Sequence, residues 1–200
     1  MRKTRQQTAL TRSRIIAVAS SEFRKRGVAA SGIAKVMSAA GMTQGGFYRH
    51  FASKDQLVME AMRAAFADLA ARFRACAAAD RPPEQSLRLV VQVFLQQLHG
   101  DEASAWCPLA VLGSELHHCS VEVRAIAARG YVALLELIAA LLRRMGRADA
   151  VCLAEAIVNT LIGAVSLARL VPERASAEAI LENAGLAVEA LLDNEATRHR

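Results

Sequence analysis

The stretch Ala39–Leu57, AAGMTQGGFYRHFASKDQL, decides how this chain folds. Ala40-Gly41 closes one helix, with glycine free to take the positive φ that a sharp turn needs. Thr43 then stands where an N-cap belongs. Gln44–His50 reads as one to two turns of helix. Its small residues, Gly45 and Gly46, come first, so that end can approach another surface closely. Tyr48, Arg49 and His50 follow, three polar groups suited to phosphate oxygens or base edges. Phe47 and Phe51 are four apart, share one helix face and anchor the piece to a core. Ser53 caps the next helix and Lys54 lies in its first turn. A helix N-terminus with a lysine beside it suits a phosphate.

This pattern is a helix-turn-helix whose recognition helix is so short that most of its surface faces outward. Working outward, the chain carries T-R-S-R-I-I-A-V-A at Thr11–Ala19, E-F-R-K-R-G at Glu22–Gly27, the A-A-G-M-T turn, and G-G-F-Y-R-H-F-A-S-K-D-Q-L at Gly45–Leu57. On these residues Thr11–Leu57 resembles the DNA-binding domain of the TetR family of bacterial transcription regulators. The resemblance implies DNA contacts from Thr43, Gln44, Gly45, Gly46, Tyr48, Arg49 and His50, with Ser31 and Lys54 on phosphates. Arg49 is the best candidate for a direct base contact. Two positions depart from the family pattern. Gly46 replaces a residue that is commonly Thr, Ser or Ala, and Lys35 stands where an acid is frequent. A glycine here costs roughly 1 kcal/mol of helix propensity and removes a side chain that a base contact would use.

Charge supports the same division of the chain. The formal net charge is +6 over 200 residues. Residues 1–65 hold twelve Lys and Arg against three Asp and Glu, a net +9, and the remainder is −3. A basic third on a mildly acidic body is the footprint of a nucleic-acid-binding unit. The apolar fraction is 54%, mostly Ala, Leu and Val with few aromatics, which favours helices packed on helices. The expected fold is all-α: a three-helix N-terminal domain over 8–68, with the helix-turn-helix at about 31–50, and a helical effector-binding and dimerisation domain over 69–200, about nine helices in all. A basic arm is expected over residues 1–10, with Arg2, Lys3 and Arg5 along phosphates or in a minor groove. Ser31 is expected to cap the second helix. One long helix from Ser53 to about Ala78 joins the two domains. Asp80-Arg81-Pro82-Pro83 is the strongest break. No transmembrane span or signal peptide is expected, hence a cytoplasmic protein.

The last two helices, about 149–170 and 176–192, have more apolar surface than an internal core needs. They suggest a homodimer built by packing both against their copies, and the family resemblance implies the same. Two recognition helices would then sit ~34–36 Å apart on an inverted-repeat operator of double-stranded DNA. The resemblance also implies a small-molecule effector in the middle helices that releases DNA. Candidate pocket residues are Phe94, Trp106, Cys107, His117, Tyr131 and Asn159. Cys76 and Cys152 read as small core residues. Cys107 at a helix start, and Cys119 beside His117 and His118, leave a thiol-based repressor of electrophile or oxidant response as the alternative. A helical enzyme is much less favoured: no phosphate loop, nucleophile elbow or spaced metal ligand set is present, and no catalytic residue, metal or cofactor is expected.

Overall fold

The computed structural model describes residues 5–77, 80–96 and 106–193. Among these there are eight α-helices and one 3-10 helix, with no strand. In order they are α1 (Arg5–Arg26), α2 (Ile33–Ala39), the 3-10 helix η1 (Gln44–Arg49), α3 (Lys54–Cys76), α4 (Pro83–Leu95), α5 (Pro108–Leu116), α6 (Val121–Arg144), α7 (Ala150–Ala168) and α8 (Arg174–Asp193).

The expected N-terminal arm is corrected by this order. Helix α1 already runs at Arg5, while Arg2 and Lys3 lie outside the described residues. Residues 5–10 contain neither glycine nor proline, so the helix propagates back from its packed turns although all six side chains are exposed. Ile15, Ala19 and Phe23 form its buried row, four residues apart. The second helix is capped by Gly32 rather than Ser31. Helix α3 ends at Cys76, two residues short of the expected end. The Asp80–Pro83 break is real: Pro83 opens α4, where its missing N–H costs nothing. The segment expected to carry α4 to Leu98 lies partly outside the described residues.

Two apolar cores result. One gathers α1, α2, η1 and the first half of α3, and it recruits Trp106, Leu112, Leu116, Val123 and Ile126 from the chain around α5 and α6. The other joins the second half of α3 to α4, α6, α7 and α8. Phe66 and Leu109 pack against both. Opposite Phe66, α6 carries Gly130, and a Cβ built there would lie 2.2 Å from the Phe66 ring. The two helices cross through that gap.

By length and composition alone α6 and α7 are apolar enough to cross a bilayer, with mean hydropathies of 1.8 and 1.9. Their inner faces are instead buried in the protein, that of α7 in the second core and that of α6 in both, with 44% of each apolar stretch buried. What remains uncovered is apolar as well. Val151 and Leu167 on α7, Leu170 just beyond it, and Leu186 on α8 are each more than half exposed. Cys152 shares that outer face and is exposed, which corrects its assignment to the core. Replacing Gly130 by alanine is expected to lower unfolding free energy by about 1–3 kcal/mol, read as a shifted denaturant midpoint at unchanged slope.

Candidate nucleic-acid interface

The turn forms as its residues require. Gly41 takes φ 70°, and the Met42 N–H returns to Met37 O at 2.8 Å. Thr43 holds the N-cap position of η1 with extended backbone, although its side chain makes no capping bond. Helix η1 then winds with i→i+3 bonds, such as Gly46 N–H to Thr43 O at 3.0 Å. Two glycines weaken α-helix propensity in an element this short, and 3-10 geometry is at home in such pieces. Phe47 and Phe51 are fully buried, their rings stacked 5.4 Å apart. Tyr48 meets Phe47 edge-on at 5.2 Å and keeps 68% of its surface exposed. Thr43, Gln44, Gly45, Tyr48 and Arg49 are exposed, while Gly46 and His50 are half-buried. The structure thus leaves five of the seven exposed and two half-buried on this short segment. A Cβ at Gly46 would meet only Met37 and Thr43, at 3.7 and 3.9 Å, so the position has room for alanine.

What holds this edge was not legible as a site. Arg12, from α1, donates through Nε to His50 O at 3.3 Å, pairs with the Glu60 carboxylate, and lays its guanidinium 4.7 Å over the Phe51 ring. Gln56 donates to the same Glu60 at 3.1 Å and accepts the Ala52 N–H at 2.7 Å. Ser53 accepts the Gln56 N–H at 3.1 Å. The pair is a variant of the capping box, with the Gln56 amide reaching the residue before the cap. The signals were present: Ser53 three residues before Gln56, and Glu60 four after Gln56.

Two expected phosphate contacts stand differently. Ser31 is 1% exposed, and its single hydroxyl hydrogen is shared between Gly27 O at 2.7 Å and Glu22 O at 3.2 Å. It seals the end of α1, so the phosphate role read for it is corrected. Lys54 Nζ donates to Val28 O at 2.6 Å, tying the start of α3 to the turn after α1. An ammonium has three hydrogens, so two remain for another acceptor.

The candidate pocket residues do not form one group. Phe94 and Cys107 are buried in the second core, whereas Trp106 belongs to the first and donates to Ser20 Oγ at 3.2 Å. His117 is exposed, its Nδ1 2.8 Å from Ser114 O. Tyr131 donates to Asn159 at 2.9 Å on a solvent-facing seam of α6 and α7. No group of three potential metal-binding side chains is found among the described residues.

The thiols behave opposite to the reading from helix position. Cys107 starts α5, but burial pushes its pKa up to about 11. At Cys119, burial comes first, and the nearby Asp55 and Glu115 charges raise the pKa further. Desolvation outweighs the helix dipole, so both stay protonated at neutral pH. A maleimide at pH 7 is expected to label Cys107 only after unfolding, as followed by mass spectrometry.

The comparisons agree with this geometry. Residues 15–61 match the family model described as bacterial regulatory proteins of the tetR family, and residues 83–183 match that of the C-terminal domain of LmrA/YxaF-like transcriptional regulators. The HTH-type transcriptional regulator TtgR of Pseudomonas putida is 41% identical over 58 residues, 29% of this chain and 28% of that protein. The HTH-type transcriptional repressor KstR2 of Rhodococcus jostii is 25% identical over 107 residues, 54% and 50% of the two. The chain therefore matches half or less of the length of these curated relatives. A TetR regulator from Chloroflexus aurantiacus superposes with a TM-score of 0.80 at 27% identity, covering 92% of this chain and 94% of that one. The reduced form of NemR from E. coli shares the fold, with a TM-score of 0.78 at 19% identity and coverage of 89% and 94%. With both ends of the chain matched and the turn built as its residues require, the protein belongs to the TetR family of bacterial transcriptional regulators.

Proposed function

We propose that this chain is a homodimeric repressor that binds an inverted-repeat operator in double-stranded DNA and leaves it when a small-molecule effector binds. The observation that carries the reading is the exposed edge Thr43–His50, clamped by Arg12 and set in the basic first third. A rigid, outward, polar edge backed by phosphate-seeking charge is what a duplex-reading surface needs. Gln44 and Arg49 are assigned to bases, Thr43 and Tyr48 to the backbone. Gly45 and Gly46 let the element approach the groove floor. His50 lies at its rim, and Lys54 supplies its remaining hydrogens to a phosphate.

The exposed apolar residues of α7 and α8 favour dimerisation through these two helices. The effector would occupy the α4–α7 body, as the family membership suggests. Its acceptance there depends on different affinities for the two arrangements of the dimer. The DNA-binding unit is taken as 8–68 and the remainder as the effector and dimer unit, in a protein of the cytoplasm. The thiol alternative is not favoured, because burial keeps Cys107 protonated.

The test is binding of the purified protein to DNA flanking its coding region across a salt series. Six to eight phosphate contacts would give a slope of log affinity on log salt of about −5 to −7. Gln44→Ala should change the ranking among operator variants by about 1–3 kcal/mol at one base pair. Tyr48→Ala should weaken all sequences alike. Weak, sequence-indifferent binding to every selected DNA would sink the proposal.

A further inference from the structure

Where the end of α1 meets α5 and the end of α7, a cavity of about 370 Å³ opens between the two cores. Arg24, Lys25 and Arg26 from α1 and Arg169 just beyond α7 line it, with Arg26 paired to Glu22 at 3.4 Å. Glu115 is the acid of that lining, and it is already engaged. Its carboxylate accepts the Ala29 N–H at 3.0 Å and lies against Gly27, where φ is +80° and a Cβ would fall 1.9 Å from Oε1. Arg169 donates one N–H to Arg24 O at 3.0 Å. A guanidinium has five, so most of its fork is not used by that bond. Burial, then the Arg24 charge, lowers its pKa, and no acid contributes. The other wall, Ala110, Val111 and Leu170, is apolar.

A partly desolvated arginine facing like charge, with an apolar wall beside it, has the chemistry of an organic-anion site. We infer that this cavity binds a small organic anion, a carboxylate or phosphate monoester carrying a compact apolar body, through Arg169 and the basic end of α1. The anion would bridge two cores. It would tie the end of α1, which leads into the helix-turn-helix, to the end of α7, and so favour one relative placement of the two. This site lies at the edge of the α4–α7 body, where α5 and the end of α7 meet the end of α1.

Titration calorimetry on the full-length protein at constant ionic strength, without DNA, tests this directly. The probes are phenyl phosphate, benzoate and the neutral benzyl alcohol. Both anions are expected to bind saturably with a dissociation constant below about 1 mM, and the alcohol is not. Arg169→Gln and Lys25→Gln should each weaken anion binding by roughly tenfold, the loss of one charged hydrogen-bond partner. Arg129→Gln, an exposed α6 arginine outside the lining, should leave it unchanged. If Arg169→Gln melts early, Lys25→Gln carries the comparison alone. Absence of saturable binding, equal binding of benzyl alcohol, or unchanged affinity in both folded cavity variants would overturn the inference. Because no DNA is present, a failure here leaves the operator reading untouched.

Discussion

Helix α3 has to be apolar for two cores at once, and most of the structure follows from that demand. Its 23 residues span about 35 Å at 1.5 Å per residue. Leu57, Val58, Ala61 and Met62 face the helix-turn-helix, and Leu69, Phe73 and Cys76 face the second core. Between them sits Phe66, which belongs to both and passes α6 only because Gly130 has no side chain. The helix therefore cannot shift in one core without disturbing the other. Its start is fixed by Ser53 and Gln56, and from there Glu60 reaches Arg12. The exposed edge of η1 is thus an extension of α3's own framework, not a separately folded loop.

The two halves are joined by apolar packing of Trp106, Leu112, Leu116, Val123 and Ile126 into the first core, and by a few polar links beside it. Three polar links from the C-terminal half land on or just after α1: Trp106 on Ser20, Arg169 on Arg24 O, and Glu115 on Ala29 N–H. Each is worth about 0.5–1.5 kcal/mol net, more where a charge takes part. Together they are comparable to a typical allosteric coupling of 1–3 kcal/mol. Polar links of this size can be reset by one ligand, whereas the apolar packing at Phe66 and around Leu112 and Leu116 is too costly to rebuild. Motion would then pivot about α3 with the end of α1 swinging.

Much of this was legible beforehand, for physical reasons. The aromatic pair Phe47 and Phe51 at four-residue spacing and the serine cap at Ser53 each restrict the local conformation, and the glycines at 27, 41 and 146 stand where the chain needs the positive φ that all three take. Among the described residues nine helical elements emerged because apolar periodicity and Pro or Gly punctuation agreed. The failures were tertiary. Ser31 has the chemistry of a cap, but burial against the Gly27 and Glu22 carbonyls at the end of α1 gave its hydroxyl other work. Arg12, one of twelve basic residues in its third of the chain, could not be singled out before Glu60 and Phe51 were seen around it. Cys107 and Cys152 exchanged roles, since a helix start says nothing about what covers it. The six candidate pocket residues shared chemistry rather than location.

The shortness of η1 sets a limit on information. Six residues at about 2 Å per residue make an element roughly 12 Å long. That length parallels only about three to four base pairs at 3.4 Å each. Two copies in a dimer would read about seven. Selecting one address among about a million competing sites takes about ten fully specified base pairs. The shortfall has to be met by the fixed distance between half-sites and by the stiffness of the DNA between them, which makes the body that sets that distance part of the reading head.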